Sequence, residues 1–265
     1  MNAQSSVYFI DPREVNRDAP LFIYLPGMDG TGKLLQTQSD NLVAQFDLRC
    51  LSIRVDNYST WQNLAEDTVK LIKAELKNKT NREVYLCGES FGGCLALKTA
   101  LAAPDLIKKL ILVNPASSFS QLPFLNWGVE LVSWFPSLIQ PYSAAGLLPF
   151  LVRLNRISNC DRDRLMESIK SVPPYVISWR LSLLKNFKVT DQQLRSLNIP
   201  SLIVAGAADG LLPSVKEAQK LANLLPQAKM TILPQSGHAC LLETEINLYQ
   251  ILKQQNFIQA KYALC

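Results

Sequence analysis

Histidine is almost missing from this chain: 265 residues contain one, His238, and the six cysteines (Cys50, Cys87, Cys94, Cys160, Cys240 and Cys265) form no C-x-x-C pair. That leaves no metal-ligand spacing, and neither a metal nor a cofactor is expected. Runs of Lys and Arg interleaved with aromatics are also absent. The net charge of +5 is mild, so a nucleic-acid partner is excluded and only weak attraction to an anionic membrane surface is left open. With 11 glycines and 15 prolines, and no repeat or low-complexity stretch, the chain is neither collagen-like nor disordered. The N-terminus lacks the basic start and long apolar run of a secretory signal. The final KYALC is no prenylation box, since that motif needs its cysteine four from the end. Cys50, Cys87 and Cys94, which fall in predicted strands and a predicted helix, are then expected to be buried thiols in a reducing, cytoplasmic compartment.

What the sequence does hold is alternation. Short apolar strands at Leu21–Leu25, Arg49–Ile53, Glu83–Cys87, Lys108–Val113, Ser201–Gly206 and Ala228–Leu233 are separated by helical patterns, which predicts a mostly parallel sheet with helices on both faces. Trp61, Leu64, Ala65, Thr68, Ile72 and Leu76 recur at helical spacing. Ser214-Val215-Lys216-Glu217 reads as a capping box opening a helix to about Leu225, Asp191 as a helix start, and a last helix is expected near Glu243, with Glu243 as its dipole partner. The alternation breaks once, after Asn114, which predicts a core of residues 1–115 and 199–265 and a helical cap of 116–198. From Leu110 to Val152 the one charged residue is Glu130, while Phe119, Phe124, Trp127, Trp134, Phe135, Tyr142 and Phe150 crowd the stretch. Prolines cut it into pieces too short to span a bilayer. Its aromatics either pack on the core or line an apolar substrate channel, with Trp127, Trp134 and Phe135 the candidates to touch substrate, and the cap is the surface that could meet a membrane.

The chemistry is carried by Leu86-Cys87-Gly88-Glu89-Ser90-Phe91-Gly92-Gly93, where a serine sits between glycines at the end of an apolar strand and the start of a helix. Gly88-x-Ser90-x-Gly92 fits a nucleophile elbow: the serine is forced into a strained turn, and flanking glycines let two chain segments approach. A serine hydroxyl needs an imidazole to take its proton and an acid to orient that imidazole. His238 is the base by elimination, directly after the last strand. The order Ser…Asp/Glu…His selects Asp209, at the end of Ser201–Gly206; the other position used for the acid, after Lys108–Val113, holds Asn114. Backbone N–H groups of Phe91 and of Met28, in the loop Pro26–Gly32, are the expected oxyanion donors. Gly27-x-x-x-x-Gly32-Lys33 in that loop also matches a phosphate-binding loop until Leu34 replaces the required hydroxyl, so a nucleotide binder is the weak rival. A catalytically silent lipid- or partner-binding protein is the non-enzymatic alternative; no obligatory protein partner is indicated.

The segments FIYLPGMDGTG (22–32), CGESFGGCLAL (87–97), LILVNPA (110–116), AGAADGLLPS (205–214) and SGHACLLE (236–243) resemble the α/β-hydrolase portion of the phytyl ester synthase, or esterase/lipase/thioesterase, group of plastids and cyanobacteria. The resemblance implies long-chain acyl substrates, isoprenoid or glycerolipid alcohols, and work at thylakoid or plastid membranes. Plant members of the group carry a second, acyltransferase-like domain with a His-x4-Asp motif, which is expected to be absent here. The reading is a serine hydrolase or acyltransferase (esterase, lipase or thioesterase) acting on a lipophilic ester or thioester without a cofactor.

Overall fold

Leu21-Phe22-Ile23-Tyr24-Leu25 is apolar at every position, the pattern of a strand covered on both faces. The computed structural model, which describes residues 6–11, 13, 16, 18–77, 82–122, 146 and 148–258, buries all five side chains. The strand is β2 of a seven-stranded sheet formed with β1 (Val7–Ile10), β3 (Asp47–Ile53), β4 (Val84–Glu89), β5 (Lys109–Val113), β6 (Ser201–Gly206) and β7 (Ala228–Leu233), in the order β1-β3-β2-β4-β5-β6-β7. Every pairing is parallel except β1 with β3. Successive side chains of β2 point to opposite faces, so Leu21, Ile23 and Leu25 enter one hydrophobic cluster while Phe22 and Tyr24 enter the other.

Helix α2 (Trp61–Leu76) covers the first face with the predicted stripe and is capped by the Thr60 hydroxyl, which accepts the Asn63 N–H at 3.3 Å. Beside it runs α3 (Phe91–Ala102), buried along most of its length. Helices α1 (Gln36–Leu42) and α8 (Leu248–Gln254) lie against the second face. Between β5 and β6 the described residues form α4 (Asn159–Lys170), α5 (Pro174–Lys185) and α6 (Asp191–Ser196), and α7 (Ser214–Leu224) follows β6. Cys50, Cys87, Cys94 and Cys240 are buried free thiols.

The strand expectations hold, with the starts of β3, β4 and β5 shifted by one or two residues and two further differences. β4 does not stop at Cys87 but continues through Gly88 and Glu89, pairing with Leu112 and Val113 of β5 right up to the elbow. β1, outside the predicted set, pairs antiparallel at the edge and its Tyr8 is about half-exposed, so it lacks the two-sided apolar signature of its neighbours. Three expectations fail. Ser214 and Glu217 make no capping box: Ser214 is the first helical residue, its hydroxyl donates to the carboxylate of Asp209, and Glu217 accepts from the Ser117 hydroxyl. Pro213, which has no side-chain acceptor, holds the N-cap position, so Ser214 lies one residue too far into the helix to cap it. Likewise, the last helix starts at Leu248, capped by Asn247, and not near Glu243. Glu243 is no helix-dipole partner but a buried carboxylate, held by the Gly237 N–H at 2.8 Å and by Arg156 Nε at 3.1 Å. Trp127, Trp134, Phe135, Phe124 and Tyr142 lie outside the described residues. Of the insertion's other aromatics, Phe119 packs into the main core, whereas Phe150 is half-exposed beside Gly210. Among the described residues no helix is long and apolar enough to cross a membrane.

Candidate active site

The elbow is built by close approach. A Cβ on Gly92 would lie 2.0 Å from the Leu25 carbonyl oxygen, and one on Gly88 would lie 2.2 Å from the Gly92 carbonyl oxygen, so only glycine lets α3 leave β4 this steeply. Between them Ser90 adopts φ 54°, ψ −114°, with its N–H anchored to the Val113 carbonyl at 3.0 Å. Such a conformation costs about 1–3 kcal/mol and persists because the surrounding sheet over-determines it.

Three side chains distant in sequence meet above this turn. His238 Nε2 lies 2.8 Å from Ser90 Oγ, and His238 Nδ1 lies 2.8 Å from Asp209 Oδ2. All three side chains are nearly excluded from solvent. Asp209 also accepts the N–H groups of Leu211 (2.8 Å) and Leu212 (3.0 Å) on Oδ1 and the Ser214 hydroxyl on Oδ2. Burial pushes its carboxyl up, but the hydrogen bonds from His238, Ser214 and Leu212, with the charge of His238, more than offset this and hold it below the usual range. An ionised Asp209 places the imidazole proton on Nδ1, leaving Nε2 free to take a proton from Ser90.

Asn114, at the position where related folds carry the acid, holds the two loops together. Its buried amide donates to the carbonyls of Gly237 (3.1 Å) and His238 (2.6 Å) and accepts the Gly206 N–H at 2.8 Å. It sits at φ 41°, a conformation asparagine tolerates better than most residues. Sequence reading identified the position but not this role, and it assigned Glu243, Ser214 and Arg156, which also fix the acid and base loops, to other tasks or none.

The expected oxyanion donors flank the serine. No acceptor among the described residues takes the N–H of Met28 or Phe91, and a Cβ on Gly27 would lie 3.8 Å from Ser90 Cβ, so the loop after β2 borders Ser90. Within the phosphate-loop pattern three amides are already engaged. The Gly30 N–H is taken by Gly27, that of Thr31 by Asp29 and that of Lys33 by the Thr31 hydroxyl. A three-residue 3-10 turn, Lys33–Leu35, follows where a phosphate loop opens a full helix.

The family model described as "Serine aminopeptidase, S33" (Hydrolase_4) matches residues 54–245, which contain Ser90, Asp209 and His238. The chain belongs to that family. This S33-family hydrolase is 29% identical over 262 residues to "Phytyl ester synthase 1, chloroplastic" of Arabidopsis thaliana, a match covering 89% of the chain and 37% of the plant protein. The chain thus spans little more than a third of the length of that relative. It is 27% identical over 227 residues to a pimeloyl-[acyl-carrier protein] methyl ester esterase of Vibrio parahaemolyticus, covering 83% of the chain and 88% of the relative. An esterase structure from Exiguobacterium antarcticum superposes with a TM-score of 0.78 at 16% identity, over 95% of this chain and 96% of that one. A thermophilic esterase from Thermogutta terrifontis gives 0.74 at 18%, over 95% and 93%. At these identities the structural likeness is one of fold, and it establishes the α/β-hydrolase architecture. The S33-family chain is accordingly an α/β-fold hydrolase enzyme.

One buried group beside the nucleophile was not anticipated. Glu89 precedes Ser90 and faces inward. Its Oε2 accepts the Tyr24 hydroxyl, and Oε1 has no partner among the described residues. Tyr24, Asp29, Cys87, His238 and Cys240 surround it electrostatically. Burial pushes the Glu89 carboxyl up to about 7; the Tyr24 hydroxyl and His238 oppose the rise and Asp29 adds to it. Because the folded value lies above the ordinary one near 4.5, ionisation destabilises the native state. The penalty is absent at low pH, grows between roughly pH 4.5 and 7, and stays constant above, at about 3 kcal/mol. Glu89→Gln retains an acceptor for Tyr24 but leaves its NH2 unpartnered, so a net gain of about 2 kcal/mol is expected at pH 8.5 and none at pH 5. Calorimetry at the two pH values checks this; equal melting shifts at both would refute it.

Proposed function

We propose that this hydrolase cleaves a lipophilic carboxylic ester or thioester through an acyl-enzyme on Ser90. The observation that carries the reading is the pair of 2.8 Å contacts linking Ser90, His238 and Asp209. Ser90 Oγ attacks the substrate carbonyl carbon as its proton passes to His238 Nε2, and Asp209 stabilises the resulting imidazolium. The carbonyl oxygen becomes an oxyanion facing the N–H groups of Met28 and Phe91. Collapse expels the alcohol or thiol, which takes the proton from His238. Water or an acceptor alcohol, deprotonated in turn by His238, then attacks the acyl-Ser90 carbonyl and restores the serine.

The insertion, residues 116–198, serves in this reading as a cap. Its described part lies over the acid and base loops: the Ala239 N–H donates to the Leu151 carbonyl at 2.7 Å, Ile157 bridges to Glu243, and Phe150 borders Gly210 next to Asp209. An acyl substrate is supported by the apolar composition of the insertion's first part, up to Val152, and by two relatives whose names specify a phytyl ester and an acyl-carrier-protein methyl ester. Contact of the cap with a membrane belongs to the same reading.

A fluorophosphonate probe is expected to label one site per chain, with the added mass on the peptide containing Ser90 and none in Ser90→Ala. Absence of that adduct would overturn the proposal. Incubation with a medium- or long-chain acyl thioester, with and without phytol or diacylglycerol, then separates two outcomes. Free acid alone assigns hydrolysis; new ester in the presence of alcohol assigns acyl transfer.

A further inference from the structure

Among the described residues, Arg180 is the largest side chain with essentially no exposure, at 0%. It stands on α5, in the inserted segment, yet its guanidinium reaches into the loop that borders Ser90. Nη1 donates to the Met28 carbonyl at 2.7 Å and Nη2 to the Ile53 carbonyl, the end of β3, at 3.3 Å. Nε is buried without a partner, and among the described residues no carboxylate lies within ion-pair distance. Burial lowers its pKa to about 10, with Asp29 opposing, so it remains charged at neutral pH.

A buried cation without a counter-ion is costly, and an apolar side chain of similar length would fill the same space at lower cost. What an apolar chain cannot do is hold two carbonyls. The turn from Gly27 to Gly30 shows why that matters. The Gly27 carbonyl accepts the Gly30 N–H at 3.1 Å. In a trans peptide the carbonyl and the following N–H point in opposite directions, so this bond sets where the Met28 N–H aims. The chain leaves the turn with Gly30 at φ 65°, and a Cβ there would lie 2.5 Å from both terminal nitrogens of Arg180. Arg180 therefore packs against one corner of the turn and hydrogen-bonds another.

We infer that Arg180 is a positioning residue for oxyanion stabilisation, its guanidinium holding the Gly27–Gly30 turn so that the Met28 N–H is presented to the developing oxyanion. The inserted segment thereby becomes part of the catalytic apparatus and not only a cover. This rests on the acyl-enzyme reading of Ser90.

Arg180→Met keeps the packing and removes the donors; Arg180→Lys keeps the charge and one donor. With a short-chain p-nitrophenyl ester, Arg180→Met is expected to lose about a hundredfold in kcat with KM within threefold, the scale of one missing oxyanion donor. Arg180→Lys should recover part of the loss. A trifluoromethyl ketone, which forms an oxyanion on Ser90, should lose affinity by the same factor as kcat/KM. A purely structural role would lower melting temperature and active fraction while leaving ketone affinity per active site unchanged, and that result, or a kcat within threefold of the parent, would overturn the inference. If Arg180→Met does not fold, Arg180→Lys supplies the same comparison. Turnover that survives Ser90→Ala would overturn the acyl-enzyme reading itself, whereas an inert Ser90→Ala protein beside unaffected Arg180 variants would overturn only the role given to Arg180.

Discussion

His238→Ala and Ser90→Ala are each expected to lower kcat by about a millionfold, leaving the residual rate that oxyanion donors and substrate binding supply alone. The two losses should be nearly equal, and the double variant little worse than either, because serine and imidazole act as one unit. No second histidine exists to take over the proton, and Ser90 is itself nearly buried, which limits the access of a buffer base to its hydroxyl. Steady-state assays with a chromogenic ester, alongside thermal melting to confirm folding, check the expectation. A His238→Ala rate within tenfold of the parent would remove the imidazole from the mechanism.

Asp209→Asn is expected to cost about ten-thousandfold in kcat, by changing the tautomer of His238 without moving it. The carboxylate faces donors on both oxygens. Those at Oδ1 are backbone N–H groups of Leu211 and Leu212, which cannot rotate. The asparagine must therefore keep its carbonyl there and turn its NH2 toward His238 and Ser214. Nδ1 then becomes an acceptor, the ring proton moves to Nε2, and Nε2 loses the lone pair that would deprotonate Ser90. A folded Asp209→Asn enzyme with near-parental kcat would show that another carboxylate orients the imidazole, and Glu89 would be the first to examine because it already lies within electrostatic range of His238.

Much of the site was legible because its chemistry is tied to local pattern. Gly88 and Gly92 announce a strand-to-helix turn whose steric demands only glycine meets, and those demands are visible as sub-3 Å approaches of any added Cβ. A chain with a single histidine leaves no choice of imidazole. Asp209 followed from chain order and its place at a strand end, since parallel strands deliver their C-terminal loops to one rim of the sheet.

What remained hidden was the network behind these groups. The readings of Ser214 as a capping residue and Glu243 as a helix-dipole partner were reasonable locally and wrong because tertiary folding gave them other partners: the Asp209 carboxylate beside the imidazole for Ser214, and Arg156 with the Gly237 N–H for Glu243. Asn114 looked like an empty acid position and instead ties the Gly206 and His238 loops together.

The amino-acid sequence by itself determined the alternating architecture, the elbow, and which serine, imidazole and carboxylate the proposed mechanism uses, because strand periodicity and glycine placement are properties of neighbouring residues. The tertiary structure alone decided which buried polar groups satisfy one another: Arg180 on the Met28 loop, Asn114 between two strand ends, and Glu89 beside Ser90 with one oxygen unpaired among the described residues. Those partners are set by burial and by loops folding onto one another across 100 residues or more in several cases, and no local pattern carries that information.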